Sequence, residues 1–232
     1  MEKAENYHDP EWVESRHKVV GELREISEKE LPKPEFDWGT IWVISGPELN
    51  WEGDKINPGE RSAGYNQTRK RWETGLKMAR EVTALRLNKK LNEVSIDDIK
   101  KHGPTIYFNG TKAHNDNFKE FARPGGQLET EFDFPSSNVR ISENIGIKHT
   151  DHQFEDFPKD MLVEGNKLVI VSDLYHIPRL TRYADKYPDK FLAKQTVFYP
   201  AEPLTVPVAP TLREARKIHT YIKGGILPPD SK

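Results

Sequence analysis

The sequence contains no cysteine. A chain without cysteine cannot form disulfides, bind zinc through thiolates or use a thiol nucleophile. It also lacks an excess of either charge, because 35 Lys and Arg face 37 Asp and Glu, which gives a formal net charge of -2. Binding to nucleic acid or to an anionic membrane normally needs a basic surface. We therefore expect neither of these partners.

Long apolar runs are missing as well. No stretch reaches the roughly 18 apolar residues that a membrane-spanning helix needs, and residues 1–18 lack the basic region and apolar segment of a secretory signal. These absences predict a soluble, cytoplasmic protein without a membrane span. A length of 232 residues suits one substantial core. We expect a helical extension at residues 1–37 and one domain at residues 38–232.

Five short apolar or β-branched runs predict strands, each bounded by turn residues. They are TIWVIS (40–45), TIYFN (105–109), NVRIS (138–142), KLVIVS (167–172) and TVFYPA (196–201).

Helical patterns lie before and between these runs. Near the N-terminus, Asp9 can cap a helix whose first position suits Pro10. Residues 68–87 place Trp72 on an apolar stripe, Ser95 can cap a following helix, and residues 177–187 and 211–224 read as later helices. Strands that alternate with helices favour a doubly wound α/β fold: a mostly parallel sheet of about five strands with helices on both faces.

Small and polar residues follow the predicted strands. In a doubly wound sheet, ligands bind beyond the carboxyl ends of the strands. This rule predicts a small-molecule site formed by residues at these exits, namely Ser45, Gly46, Asn109, Gly110, Thr111, Glu143, Ser172 and Asp173.

The segment VIVSDLYHIPRLTRYADKY, residues 169–187, leads from an apolar strand into a charged helix. Pro178 suits a first helical turn, whose N–H groups can bind an anion. The helix dipole contributes about 0.3–1 kcal/mol to such binding, and a charge-assisted bond from Arg179 contributes about 1.5–3 kcal/mol. We predict that Arg179 binds the ligand and that His176 is a catalytic proton donor or acceptor. Tyr175 could stack on a base or sugar, or simply pack.

A structural alternative stays open for the same junction. His176 could close the corner between strand and helix, and Arg179 could pair with a surface carboxylate. Both interpretations fit the residue types equally well.

At SDLYHIPR the chain resembles the bacterial SanA/YdcF-like family, catalogued as a domain of unknown function, whose late strand ends in a V-T-S-x-Y-H-x-x-R-like pattern. Here the pattern spans Val171 to Arg179. The resemblance extends over most of residues 40–225: IWVISG is similar to the family's first strand and glycine turn, Arg61 precedes the first long helix, and IYFNGT is similar to the second strand. FPSSNVRISENIGIKHTDHQ is similar to the proline-led strand and the next helix start, which includes Thr150.

The resemblance implies a Rossmann-like fold and a site that includes Arg61, Thr150 and Tyr175. One family member is associated with S-adenosylmethionine, and others are linked to the cell envelope through a membrane anchor. The chain departs from the family pattern in having Asn109-Gly110-Thr111 where many members have Ser-Gly-Gly. The acidic residue usual after the second strand has three candidates, which are Asp116, Glu129 and Glu131.

Other motifs are weaker. His149, Asp151 and His152 could suggest a metal site. The two histidines lie on one helical turn without a secure third ligand, so we expect no metal. Thr150 can cap the helix that begins there, or face a ligand. Ser45 and Ser172 lie outside a G-x-S-x-G motif, and no G-x-G-x-x-G follows the first strand.

Two hypotheses about function follow. The first is an enzyme acting on a small anionic or nucleotide-like ligand, with S-adenosylmethionine as the compound that the resemblance implies. The second is a non-catalytic metabolite-binding or envelope-related module. The oligomeric state is not specified by any of these patterns.

Overall fold

Five parallel strands form one sheet. The computed structural model describes residues 10–45, 63–192, 194–201 and 208–228. The strands lie in the order β3-β2-β1-β4-β5. They are β1 (Trp38–Ile44), β2 (Thr105–Asn109), β3 (Val139–Ile141), β4 (Lys167–Asp173) and β5 (Thr196–Ala201). The predicted α/β fold with a doubly wound parallel sheet is confirmed.

Eight α-helices are described around this sheet. They are α1 (Pro10–Glu28), α2 (Ala63–Leu87), α3 (Ile96–His102), α4 (Lys112–Phe121), α5 (Gln127–Thr130), α6 (Thr150–Asp156), α7 (Ile177–Lys186) and α8 (Val208–Lys223). Ser95 caps α3 as predicted, because its hydroxyl accepts a hydrogen bond from the backbone N–H of Asp98.

The central strand β1 is buried on both faces because its side chains alternate between two cores. Ile41 and Val43 point into one core, which α2, α3, α4 and α5 cover. Trp72 of α2 belongs to this core, as its spacing predicts, and stacks on Phe118 with ring centroids 3.9 Å apart.

The opposite face of β1 carries Trp42 and Ile44. These side chains pack with residues of α6 and α7, and Tyr221 of α8 covers their cluster. Helices on both faces leave the two ends of the sheet as the places where strand residues reach the surface. Ligands of doubly wound proteins bind at the carboxyl end of the sheet, so the side chains at that end are the candidates for a ligand site.

Helix α1 packs on α8 and on the turn that joins β4 to α7. Pro10 is its first residue, as predicted, whereas Asp9 lies outside the described residues. Val19 and Leu23 form a third apolar cluster with Leu174, Ile177 and Ile218. The N-terminal helix thus supports the junction that the sequence singles out.

An ion pair also fixes α1 to α7. Both terminal nitrogens of Arg182 donate to the carboxylate of Glu22, at 2.9 and 2.6 Å. The side chain of Arg182 is 1% exposed and that of Glu22 is 22% exposed. Within the described ranges, no helix is long and apolar enough to cross a membrane.

Removing the Glu22 carboxylate tests this attachment. Glu22→Ala leaves the buried guanidinium of Arg182 without its carboxylate, so we expect a loss of about 1.5–3 kcal/mol in the free energy of unfolding. Urea unfolding measures it. Glu25→Ala, an exposed change on the same helix, is the matched control. Equal stabilities of the two variants would contradict the packing of α1 on α7.

Candidate functional site

The strand order reverses between β1 and β4. From β1 the chain moves outward through β2 to β3 and then returns to place β4 on the other side of β1. Such a reversal opens a crevice at the carboxyl ends of the two strands, where doubly wound proteins bind ligands. Ser45 follows β1, and Asp173 ends β4. We call the polar side chains gathered here the edge site: Ser45, Arg71, Gln153, Ser172, Asp173, Tyr175, His176, Arg179 and Glu214.

Arg71 of α2 joins the ends of both strands. Its Nε and Nη2 donate to the two carboxylate oxygens of Asp173, at 3.2 and 2.5 Å. Its Nη1 donates to the backbone carbonyl of Ile44 at 2.9 Å. This bidentate pair is charge-assisted and buried, so it holds α2 and the ends of β1 and β4 in one geometry.

Ser45 is fixed from the opposite face of the sheet. The Nε2 of Gln153 on α6 donates to the hydroxyl of Ser45 at 2.7 Å and also to the backbone carbonyl of Asn109. The side chain of Asn109 donates to the carbonyl of Gln153 at 2.7 Å and accepts from the indole of Trp42 at 2.8 Å. Asn109, a predicted ligand-binding residue, therefore serves internal bonds.

The ends of β2 and β3 are joined by Asp156 of α6. Its carboxylate accepts from Ser142 at 2.7 Å, from Asn144 at 2.8 Å and from the hydroxyl of Tyr107 at 3.2 Å. One carboxylate thus ties α6 to two strands next to Gln153. Gln153, which donates to Ser45, lies one turn earlier on the same helix.

The β4–α7 junction contains a continuous chain of hydrogen bonds. The hydroxyl of Ser172 lies 2.9 Å from Nδ1 of His176, and Nε2 of His176 lies 2.6 Å from Nη2 of Arg179. Arg179 then forms a bidentate pair with Glu214 of α8, at 2.6 Å from Nε and 3.2 Å from Nη2. We call these four residues the Ser172–Glu214 chain.

The structure brings His176 and Arg179 together, as the sequence predicts, but buries both. Their exposed fractions are 5% and 6%, and that of Glu214 is 4%. Helix α7 begins at Ile177, with Pro178 in its first turn. This turn is itself buried, so its N–H groups are not open to an anion from solvent.

In the alternative interpretation, Arg179 pairs with a surface carboxylate. Its contacts fit this interpretation with one difference, because the carboxylate of Glu214 is buried. The prediction that Arg179 binds an anion would require that anion to compete with Glu214. Thr150 also contacts Arg179, with its hydroxyl 3.3 Å from Nη1. Thr150 does not cap α6 as predicted: the cap position is His149, and Thr150 is the first helical residue.

Burial sets the protonation of these groups. It lowers the pKa of His176 well below its ordinary value, and the positive charges of Arg179, Arg71 and Lys217 lower it further. Burial alone would lower the pKa of Arg179, but the charge and hydrogen bonds of Glu214 outweigh it and the pKa is raised. His176 is therefore neutral at pH 7 beside a charged guanidinium.

Tyr175 lies beside the ion pair of Arg71 and Asp173. Burial raises the pKa of its hydroxyl, and the charge and hydrogen bond of Asp173 raise it further. Tyr175 is only partly buried. Its hydroxyl lies beside the carboxylate of Asp173, which is itself 9% exposed.

Three other predicted residues lie apart from the Ser172–Glu214 chain. A Cβ at Gly110 would lie 2.7 Å from the Cβ of His114, so close packing requires glycine there. The hydroxyl of Thr111 caps α4. Glu143 is 83% exposed and pairs with Lys119 at 2.6 Å. Gly46 and Arg61 lie outside the described residues.

The three candidates for an acidic residue after the second strand serve local contacts. Asp116 pairs with Lys112 on the surface of α4. Glu129 accepts from the backbone N–H groups of residues 125 and 136, and Glu131 accepts from Gln127 at 2.9 Å. The carboxylates of the edge site are instead Asp173 and Glu214.

His149 and His152 lie side by side, with ring centroids 3.7 Å apart. Burial and the neighbouring His152 lower the pKa of His149. Asp151 is held by Lys186 at 2.7 Å and by the hydroxyl of Tyr187 at 2.9 Å. No cluster of three or more potential metal ligands occurs in the part of the chain that the structure describes.

A groove of about 350 Å³ lies on another surface, between α2 and β5. We call it the outer groove. Its lining alternates in charge and includes none of the predicted site residues: Lys70, Glu73, Thr74, Lys77, Met78, Glu81 and Tyr199. It provides control positions for tests of the edge site.

Sequence reasoning missed Arg71, Gln153, Asp156 and Glu214. One signal could have found Glu214, which lies on the buried stripe of α8 with Thr211, Ala215 and Ile218. A carboxylate on the apolar side of a helix requires a buried partner. Arg71 gives a similar signal, because a cation next to the core residue Trp72 on α2 also requires a buried partner.

The neutral state of His176 predicts how stability depends on pH. Its pKa is lower in the folded chain than the ordinary value near 6.5, so below about pH 6.5 the unfolded chain binds a proton that the folded chain does not. As the pH is lowered from about 6.5, the free energy of unfolding should fall by about 1 kcal/mol for each pH unit because of this residue alone. His176→Gln should reduce that slope in urea unfolding between pH 7.5 and 5. The exposed change His102→Gln should keep it, and a His176→Gln slope equal to that of the parent would contradict the burial of a neutral imidazole.

Comparison with known proteins identifies no relative: no protein-family model, curated protein or solved structure matches this chain. The resemblance to the SanA/YdcF-like family therefore stays a prediction from the sequence.

Proposed function

We propose that this protein binds a small nucleotide-like metabolite at the edge site, between the carboxyl ends of β1 and β4. One observation carries the proposal: the reversal of strand order coincides with buried polar side chains that hold each other in place. Arg71 and Asp173 span the two strand ends. Polar groups fixed in advance bind a ligand at a lower entropic cost than mobile ones.

The charges of the site suggest how such a ligand is recognised. Asp173 balances Arg71, and Glu214 balances Arg179. Because each guanidinium has its own carboxylate, hydrogen bonds and stacking would contribute more than attraction to a simple anion. A nucleoside or a zwitterion suits this arrangement better than inorganic phosphate. S-adenosylmethionine, the compound that the resemblance implies, belongs to this class.

Proton transfer by His176 is the second candidate function, and it would make the protein an enzyme. The observation that favours it is a neutral imidazole next to the strand end. Both ring nitrogens already have partners. Because a guanidinium can only donate, Nε2 is the ring nitrogen with a free lone pair, and His176 could accept a proton from a substrate only after Arg179 releases Nε2.

A metabolite panel tests the binding proposal. We expect a nucleotide-like compound to raise the melting temperature, because a ligand that binds the folded state stabilises it. S-adenosylmethionine, adenine nucleotides, sugar phosphates and inorganic phosphate form the panel. Tyr175→Phe should then weaken calorimetric affinity for the best compound by about tenfold, because it removes one hydrogen bond.

Lys77→Ala in the outer groove is the matched control and should bind like the parent. A compound whose affinity falls in Lys77→Ala but not in Tyr175→Phe would place the ligand in the outer groove and contradict the proposal. Turnover of the bound compound, lost in His176→Gln with affinity retained, would support the second candidate.

A further inference from the structure

The direction of each hydrogen bond in the Ser172–Glu214 chain follows from chemistry. The guanidinium of Arg179 can only donate, and it carries no acceptor. Its Nη2 lies 2.6 Å from Nε2 of His176. Nε2 must therefore accept, and it cannot carry a proton of its own.

The state of the other ring nitrogen follows. A neutral imidazole has one proton, so that proton is on Nδ1. Nδ1 then donates to the hydroxyl oxygen of Ser172 at 2.9 Å. The ring therefore holds this hydroxyl at the end of β4.

Glu214 decides where Arg179 points. Its two carboxylate oxygens take Nε and Nη2, which leaves the second N–H of Nη2 directed at the imidazole. Other charged groups near the ring are Arg71 and Lys217, and the Nζ of Lys217 lies 3.5 Å from Glu214. Both of these neighbours are cations. Arg179 also contacts the hydroxyls of Thr150 and Tyr183, but Glu214 is the carboxylate that pairs with it among the described residues.

We propose that Glu214 is a positioning residue of the edge site, which fixes the Nδ1–H tautomer of His176 through Arg179. It thereby locks the end of β4, which carries Asp173, and the turn after it, which carries Tyr175. The inference rests on the proposed function for its consequence in binding, but the tautomer itself can be measured without any ligand. It makes the C-terminal helix part of the site, although Glu214 lies 35 residues from Arg179 in the sequence.

Nitrogen NMR of ¹⁵N-histidine-labelled protein tests the proposal. In the parent, His176 should show a protonated Nδ1 and an unprotonated Nε2. Glu214→Gln removes the charge that holds Arg179 and presents an amide donor to it. We expect the ratio of Nδ1–H to Nε2–H forms to fall by about tenfold, which matches the loss of one charge-assisted bond.

Glu155→Gln makes the same chemical change at an exposed position and should leave the ratio unchanged. Glu214→Asp keeps a shorter carboxylate and should give a ratio between those of the parent and Glu214→Gln. An Nε2–H tautomer in the parent would overturn the proposal, as would a parent-like ratio in Glu214→Gln. If Glu214→Gln does not fold, a parent-like ratio in Glu214→Asp overturns it.

Ligand titration separates this inference from the proposed function. A shifted tautomer ratio together with affinity weakened about tenfold for the best compound of the panel supports both. A shifted ratio with parent-like affinity leaves Glu214 as the positioning residue of His176 but contradicts ligand binding at this edge. An unchanged ratio with weakened affinity refutes the tautomer inference alone.

Discussion

The buried pair between Arg179 and Glu214 is the interaction on which the edge site depends. It joins α8 to the first turn of α7, and it brings a charged guanidinium into contact with a neutral imidazole. Removing one partner of such a pair would leave an uncompensated buried charge, which costs more than the pair itself contributes. The pair therefore specifies one arrangement of the β4–α7 junction, and the apolar contacts of α1 on Leu174 and Ile177 close that junction from outside.

A second buried pair, between Arg71 and Asp173, stabilises the ends of β1 and β4. Arg71 and Asp173 connect α2 to the ends of β1 and β4, where the strand order reverses. From the other helical layer, Gln153 of α6 donates to Ser45 at the same place. With each charge already matched, the edge site has no strong electrostatic preference for a free anion. Selectivity would come from the positions of hydroxyl, amide and imidazole groups, because an unmatched buried polar group is penalised.

Much of the fold could be predicted from the sequence, since strands and helix starts depend on nearby residues. The run at 167–172 is apolar and bounded by turns, and it forms β4. Ser95 caps α3 three residues from its partner Asp98. The site was only partly predictable because its decisive contacts are distant in sequence. Arg179 was identified, but Glu214 is not readable as its partner from local patterns, and the same distance hid the contact between Thr150 and Arg179.

Methyl NMR tests the central claim, ligand binding at the edge site, most directly. Ile44 lies at the end of β1, and Ile177 begins α7, whereas Met78 lines the outer groove. Titration with the compound that most stabilises the protein should produce saturable shifts of the Ile44 and Ile177 methyl signals and leave that of Met78 in place. Saturable shifts of Met78, with Ile44 and Ile177 unmoved, would contradict the account.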